Sequence, residues 1–166
     1  MSLLNYKQYT QQENEFFSEN EIVQIIPNFK EDIFEFISGR FGPFRPSKPA
    51  SVPLWFAIYL KKRNKCTIQM PRWLDYTYLT KVKIEEKQTE THLSQDLPYY
   101  YYEIACLLFT QCPEEFNVNG HNVQKVKSVI EDIYEIRKGK MQQIMKDVSM
   151  ETPAKYVGFC GSVEIN

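Results

Sequence analysis

The chain has 166 residues, of which 43% are hydrophobic and 25% charged, with a net charge of -1. That balance excludes intrinsic disorder and predicts one ordinary domain, or two small ones sharing an interface. It also excludes a broad phosphate-binding field, because residues 61–90 carry eight basic and four acidic groups (net +4) while residues 91–120 carry four acidic and none basic (net -4).

MSLLNYKQYTQQENE lacks a cationic start followed by an apolar core, and no apolar run approaches the ~20 residues of a membrane span. The chain reads as intracellular, with reduced thiols. Thr10 and Glu13 fit a capping box that opens a short helix to about Glu19, with Phe16 and Phe17 available to pack. Glu21–Asn28 is β-branched, apolar and stopped by Pro27, which predicts a strand. Ile33–Arg40 alternates Phe34, Phe36 and Ser38 against Ile33, Glu35 and Ile37, and reads as a second strand ending at Gly39. The proline-rich FGPFRPSKPASVP cannot be helical and is too aromatic for a disordered linker, so an ordered, extended connection is expected. Pro53 suits the first position of a helix carrying Leu54, Trp55, Phe56, Ile58, Tyr59 and Leu60, with Trp55 as its largest anchor. Cys66–Met70 follows as a strand closed by Pro71.

Beyond Pro71 the periodicity becomes helical. Leu74, Tyr78, Leu79 and Val82 mark one helix from Trp73, running into the polar EEKQTETHLSQD. Pro98 opens a second, YYYYEIACLLFTQC, apolar on nearly every side. After the turn-rich PEEFNVNG, a long amphipathic helix carries Val123, Val126, Ile130, Ile133, Tyr134 and Ile136, then Met141, Ile144 and Met145. Lys127 and Glu131 add an exposed i,i+4 pair worth about 0.3–0.5 kcal/mol. The expected fold class is therefore α+β. A small β-rich domain with an N-terminal helix occupies residues 1–71, and a mainly α-helical domain occupies residues 72–166. No internal repeat is visible.

Catalytic and metal constellations are thin. Cys66, Cys106, Cys112 and Cys160 show no CxxC spacing, and with His92 and His121 they do not make the close ligand pairs of structural zinc sites; buried structural thiols are the expected state. No cysteine stands in a glycine-rich elbow, and there is no P-loop or GxGxxG. Glu85-Glu86 and Glu114-Glu115 read as solvated surface. The chain is expected to be non-enzymatic and to hold no cofactor.

Two binding readings remain. Lys61, Lys62, Arg63 and Lys65 are candidate phosphate contacts, worth a loss on the order of 10² in affinity between 50 and 200 mM salt. The competing reading is a helix C-terminus, whose dipole favours cations by ~0.3–1 kcal/mol each. The second candidate is an obligate interface. An aromatic fraction of 14% exceeds what one small core needs, and three clear helices are few to cover a helix apolar all round. Tyr99, Tyr100, Tyr101, Tyr102, Leu107 and Leu108 are its candidate residues.

Five segments together resemble one family: EIVQIIPNF (Glu21–Phe29), ISGRFGPFRP (Ile37–Pro46), VPLWFAIYLKKRNKCTIQMPRWL (Val52–Leu74), LPYYYYEIACLL (Leu97–Leu108) and VIEDIYEIRKGKM (Val129–Met141). In order and spacing they are similar to the Psf-two subunits of the eukaryotic GINS replication complex, over about Glu19 to Val148. The resemblance implies a small β-rich domain before a larger helical one. It also implies assembly with the Sld-five, Psf-one and Psf-three subunits into a nuclear heterotetramer that hydrolyses nothing. That particle would join the Cdc-forty-five protein and the minichromosome maintenance ring as the replicative helicase, acting in initiation and elongation. Against the family pattern, the first fifteen or so residues extend beyond the usual start. GSVEIN stops just before the short terminal helix the family carries. The alternative function is a stand-alone single-strand-binding protein using the basic segment and neighbouring aromatics.

Overall fold

The computed structural model describes residues 10–89, 93–116 and 122–147, with the side chains of 145–147 excepted. His92, His121, Cys160, the Met145 side chain and the segment GSVEIN lie outside the described residues.

Helix α1 (Gln11–Ser18) opens on the capping box: Thr10 Oγ1 accepts from Glu13 N at 3.3 Å, and Thr10 N donates to Glu13 Oε2 at 2.8 Å. Its buried face is small and polar, Asn14 and Ser18, and rests on a later helix. Phe16 and Phe17, expected to pack, instead face solvent at 65% and 37% exposure. They lie on the side of this short helix away from that contact.

Strand β1 (Ile22–Pro27) is the centre of a three-stranded antiparallel sheet, flanked by β4 (Ala50–Pro53) and β5 (Cys66–Gln69). Val23, Ile25 and Pro27 turn inward, and Ile25 stands opposite both Ala50 and Ile68. The stretch Ile33–Arg40 is not one strand. It is a tight hairpin, β2 (Phe34–Phe36) against β3 (Gly39–Phe41), with Ile37 and Ser38 as its two-residue turn. Period-2 alternation carries straight through such a turn, so the turn chemistry of Ser38-Gly39 is the signal that mattered. Gly39 has φ 140°, a conformation side chains rarely adopt. The proline-rich connection is ordered: Glu31 and Phe44 pair through both backbone bonds, and Phe44 is fully buried.

Helix α2 (Leu54–Lys62) lies over the three-stranded sheet. Pro53 is its N-cap and offers no side-chain acceptor. Two of the helix's first free amides are satisfied by the preceding chain instead: Leu54 N donates to Glu21 O at 2.8 Å, and Trp55 N to Glu19 O at 3.0 Å. Phe56, only 4% exposed, is the anchor here, while Trp55 is half-buried. Around Phe56 the rings of Phe34, Phe36 and Phe44 sit with centroids 5.8, 5.0 and 6.1 Å away. Such pairs add about 0.5–1.5 kcal/mol each beyond area burial.

A 3-10 turn (Arg72–Leu74) and the Asp75 cap, which accepts from Thr77 N and Tyr78 N, start helix α3 (Tyr76–Gln88) later than the apolar spacing suggests. Helix α4 runs from Tyr101 to Gln111, α5 from Pro113 to Phe116, and α6 from Val123 to Asp147. Helix α6 packs against α3 and, less extensively, against α4, burying Val126, Val129, Ile130, Ile133 and Ile144. The buried cluster is continuous from Val23 in the sheet to Ile133 in α6.

Candidate interaction site

The basic segment divides. Lys61, on the last turn of α2, points its ammonium between Glu114 (3.0 Å) and Glu115, which begin α5. Burial lowers the Lys61 pKa, but the Glu115 and Glu114 carboxylates outweigh it and hold the group above its usual value. Glu114 is held below the ordinary carboxylate range by its own backbone amide and by Lys61. Lys61 is thus withdrawn from the candidate phosphate set, because two carboxylates already occupy it. Glu115, 9% exposed, is correspondingly not solvated surface. Lys62, Arg63 and Lys65 remain exposed around the C-terminus of α2, where the chain turns through Asn64 at φ 55°.

The Tyr-rich helix divides as well. Tyr101, Leu107 and Leu108 are 1%, 9% and 0% exposed, so the chain's own core already covers nearly all of their surface. Three helices had looked too few to cover α4, but α1, α5 and α6 all lie against it. Among the candidate interface residues, Tyr99 is 47% exposed and Tyr100 and Tyr102 are half-buried. The outer faces of α4 and α6 meet in Tyr102 against Tyr134 at 4.9 Å, with Cys106 exposed one turn further on.

The other overturned reading is Glu86. It is fully buried, and its Oε1 accepts from Arg137 Nε at 2.8 Å and Ser94 N at 2.9 Å, its Oε2 from Lys140 Nζ at 2.6 Å. Arg137, 1% exposed, also donates to Ser94 O at 2.6 Å and lies 5.2 Å from the Tyr101 ring centroid. Lys140 adds a bond to Thr89 Oγ1 at 3.1 Å. A carboxylate shared by two cations and an amide ties α3 and its following loop to α6. Lys83 and Asp132, 2.5 Å apart, repeat the link nearer the surface. The pattern was readable in part: Arg137 and Lys140 fall on the α6 face that carries Ile130, Ile133 and Ile144, and cations on an apolar stripe require a buried partner.

The thiols of Cys66 and Cys112 are pushed up to about 11, chiefly by burial. Both are therefore protonated at neutral pH and poor nucleophiles. Cys66 Sγ instead donates to Ala57 O at 3.7 Å, joining β5 to α2.

Residues 10–69 match the family model described as the PSF2 N-terminal domain, and residues 73–156 match the GINS complex protein helical bundle domain. The chain is 37% identical over 130 residues to "DNA replication complex GINS protein PSF2" of Homo sapiens, covering 78% of this chain and 68% of that protein. It is 34% identical over 128 residues to "Probable DNA replication complex GINS protein PSF2" of Drosophila melanogaster, covering 77% of this chain and 61% of that one. With the PSF2 protein of Debaryomyces hansenii the identity is 31% over 134 residues, covering 81% and 63%. Two adjoining family models, matched in the order in which the sheet and the helices follow one another, place this chain in the PSF2 family of GINS DNA replication complex proteins.

Proposed function

We propose that this chain is a non-catalytic structural subunit of a nuclear GINS heterotetramer, assembled with Sld-five, Psf-one and Psf-three subunits. The tandem match to the PSF2 N-terminal and helical-bundle models carries the reading. In this reading the tetramer joins the Cdc-forty-five protein and the minichromosome maintenance ring, and serves initiation and elongation of DNA replication. The subunit's contribution is shape: residues 1–71 form the smaller unit and 72–166 the larger, with Pro71 at the division. Tyr99 and Tyr100, just ahead of α4, and Tyr102 on it are the partner-facing residues, since exposed Tyr buries area at low entropic cost while its hydroxyl keeps a partner.

Co-expression with the three partner subunits tests this. A stable 1:1:1:1 particle is expected, and Tyr102→Arg should reduce its yield while leaving the far-ultraviolet circular dichroism of the chain intact. A monodisperse monomer that ignores all three partners would sink the proposal.

A further inference from the structure

On the β-rich side, away from the α4–α6 face, an open groove of about 480 Å³ runs between the β2–β3 hairpin and α2. Its floor is aromatic: Phe34, Phe36, Trp55 and Phe56, with Phe36 5.3 Å from Trp55 edge-to-face. Phe36 and Tyr59 keep 37% and 46% of their surface exposed. Rings gathered and part-exposed at one place offer an apolar floor that a partner side chain can cover.

One rim is cationic and held in place. Arg63 sits with Cζ 4.4 Å from the centroid of the Tyr59 ring. A guanidinium on a ring face keeps N–H donors with which to grip a carboxylate. Lys65 lies two residues on, and both line the groove. The turn between them is pinned from outside: Asn28 Nδ2 donates to Asn64 O at 2.8 Å, and Asn28 N to Lys65 O at 2.9 Å. Among the described residues, neither Arg63 nor Lys65 forms an ion pair, unlike Lys61 one turn earlier. Two unneutralised cations thus share the groove lining with one carboxylate, Glu31.

We propose that this groove docks a short acidic peptide segment of a partner protein, with an aromatic or aliphatic anchor on the Phe36–Trp55–Phe56 floor and Asp or Glu residues on Arg63 and Lys65. The charge balance selects the occupant. An apolar anchor alone has no use for the cations, and a basic segment is repelled by them. Single-stranded nucleic acid is the poorer fit: it needs a longer cationic track and open ring faces for stacking. Here Arg63 covers one face of Tyr59, and Phe36 packs edge-on against both Trp55 and Phe56. The groove's chemistry stands independently of the α4–α6 interface proposed above.

The test is panning of a random-peptide phage library on the full chain, in whatever particle it forms, followed by anisotropy with labelled synthetic copies of the enriched peptides. Enriched sequences should combine a bulky apolar residue with at least two acidic ones. The double reversal R63E/K65E should weaken them by about tenfold or more. The same reversal at two exposed cations outside the groove, R45E/K48E, should leave them bound and controls for a change in net charge. The proposal is overturned by enriched peptides that are basic or uncharged, by acidic peptides indifferent to R63E/K65E, or by a labelled oligothymidylate that displaces them. A groove already closed by a stable subunit yields no reversal-sensitive peptide, and that result overturns it too.

Discussion

Glu86→Ala should be the most damaging single truncation of a charged residue in the helical half. The change removes one carboxylate but leaves Arg137 and Lys140 buried at 1% and 9% exposure. Arg137 would keep its 2.6 Å bond to Ser94 O and Lys140 its bond to Thr89 Oγ1, so neither is stripped of every partner. What is lost is the only carboxylate among the three residues, and breaking a buried pair in this way costs about 3–5 kcal/mol. With a urea dependence of about 2 kcal/mol/M for a chain of this size, the unfolding midpoint should fall by ~1.5–2.5 M. Urea titration followed by tryptophan fluorescence measures it. Two controls make the reasoning specific. Glu131→Ala breaks the exposed Lys127 pair, 4.0 Å apart, and should cost under about 1 kcal/mol. The triple replacement E86L/R137M/K140M removes all three charges together and should lie within about 1 kcal/mol of the parent or above it, because no buried charge is left over. If Glu86→Ala moves the midpoint no further than Glu131→Ala, the network carries no structural weight and the argument fails.

Phe56→Ala should cost about 3–5 kcal/mol by opening a cavity in the ring cluster, and Trp55→Ala clearly less; thermal unfolding of the two ranks the anchors. Lys61→Met should cost about 1–3 kcal/mol by leaving Glu115 without its ammonium, yet leave any salt dependence of oligonucleotide binding unchanged. A lower salt slope in that variant would return Lys61 to the phosphate set. Cys66 and Cys112 have folded pKa values of about 11 against an ordinary 9.0, so the native state holds their protons more tightly than the unfolded chain. Their contribution is complete below pH 9 and is lost as pH rises towards 11. The C66A/C112A variant should therefore show a flatter fall in urea midpoint across that range, and an unchanged slope would contradict the burial of the two thiols.

Local chemistry was legible without coordinates. The Thr10–Glu13 capping box, strand β1, strand β5 and the long α6 each depend on residues close in sequence, and each forms as its pattern predicts. The hairpin that turns at Ile37-Ser38 was legible too, but in the Ser38-Gly39 dipeptide and not in the alternation that ran across it.

The remaining features depend on residues far apart along the chain. Glu86 finds Arg137 and Lys140 fifty-one and fifty-four positions away, and Lys61 finds Glu115 fifty-four away. Runs such as Glu85-Glu86 and Lys61-Lys62 look solvated because a lone charge must stay in water. Only the packing of α6 on α3, and of α5 on β5 beside Lys61, supplies the opposite charge that makes burial affordable. The same holds for α4. Its composition determined that it would be covered, while the placement of α1, α5 and α6 around it decided that the chain itself does most of the covering.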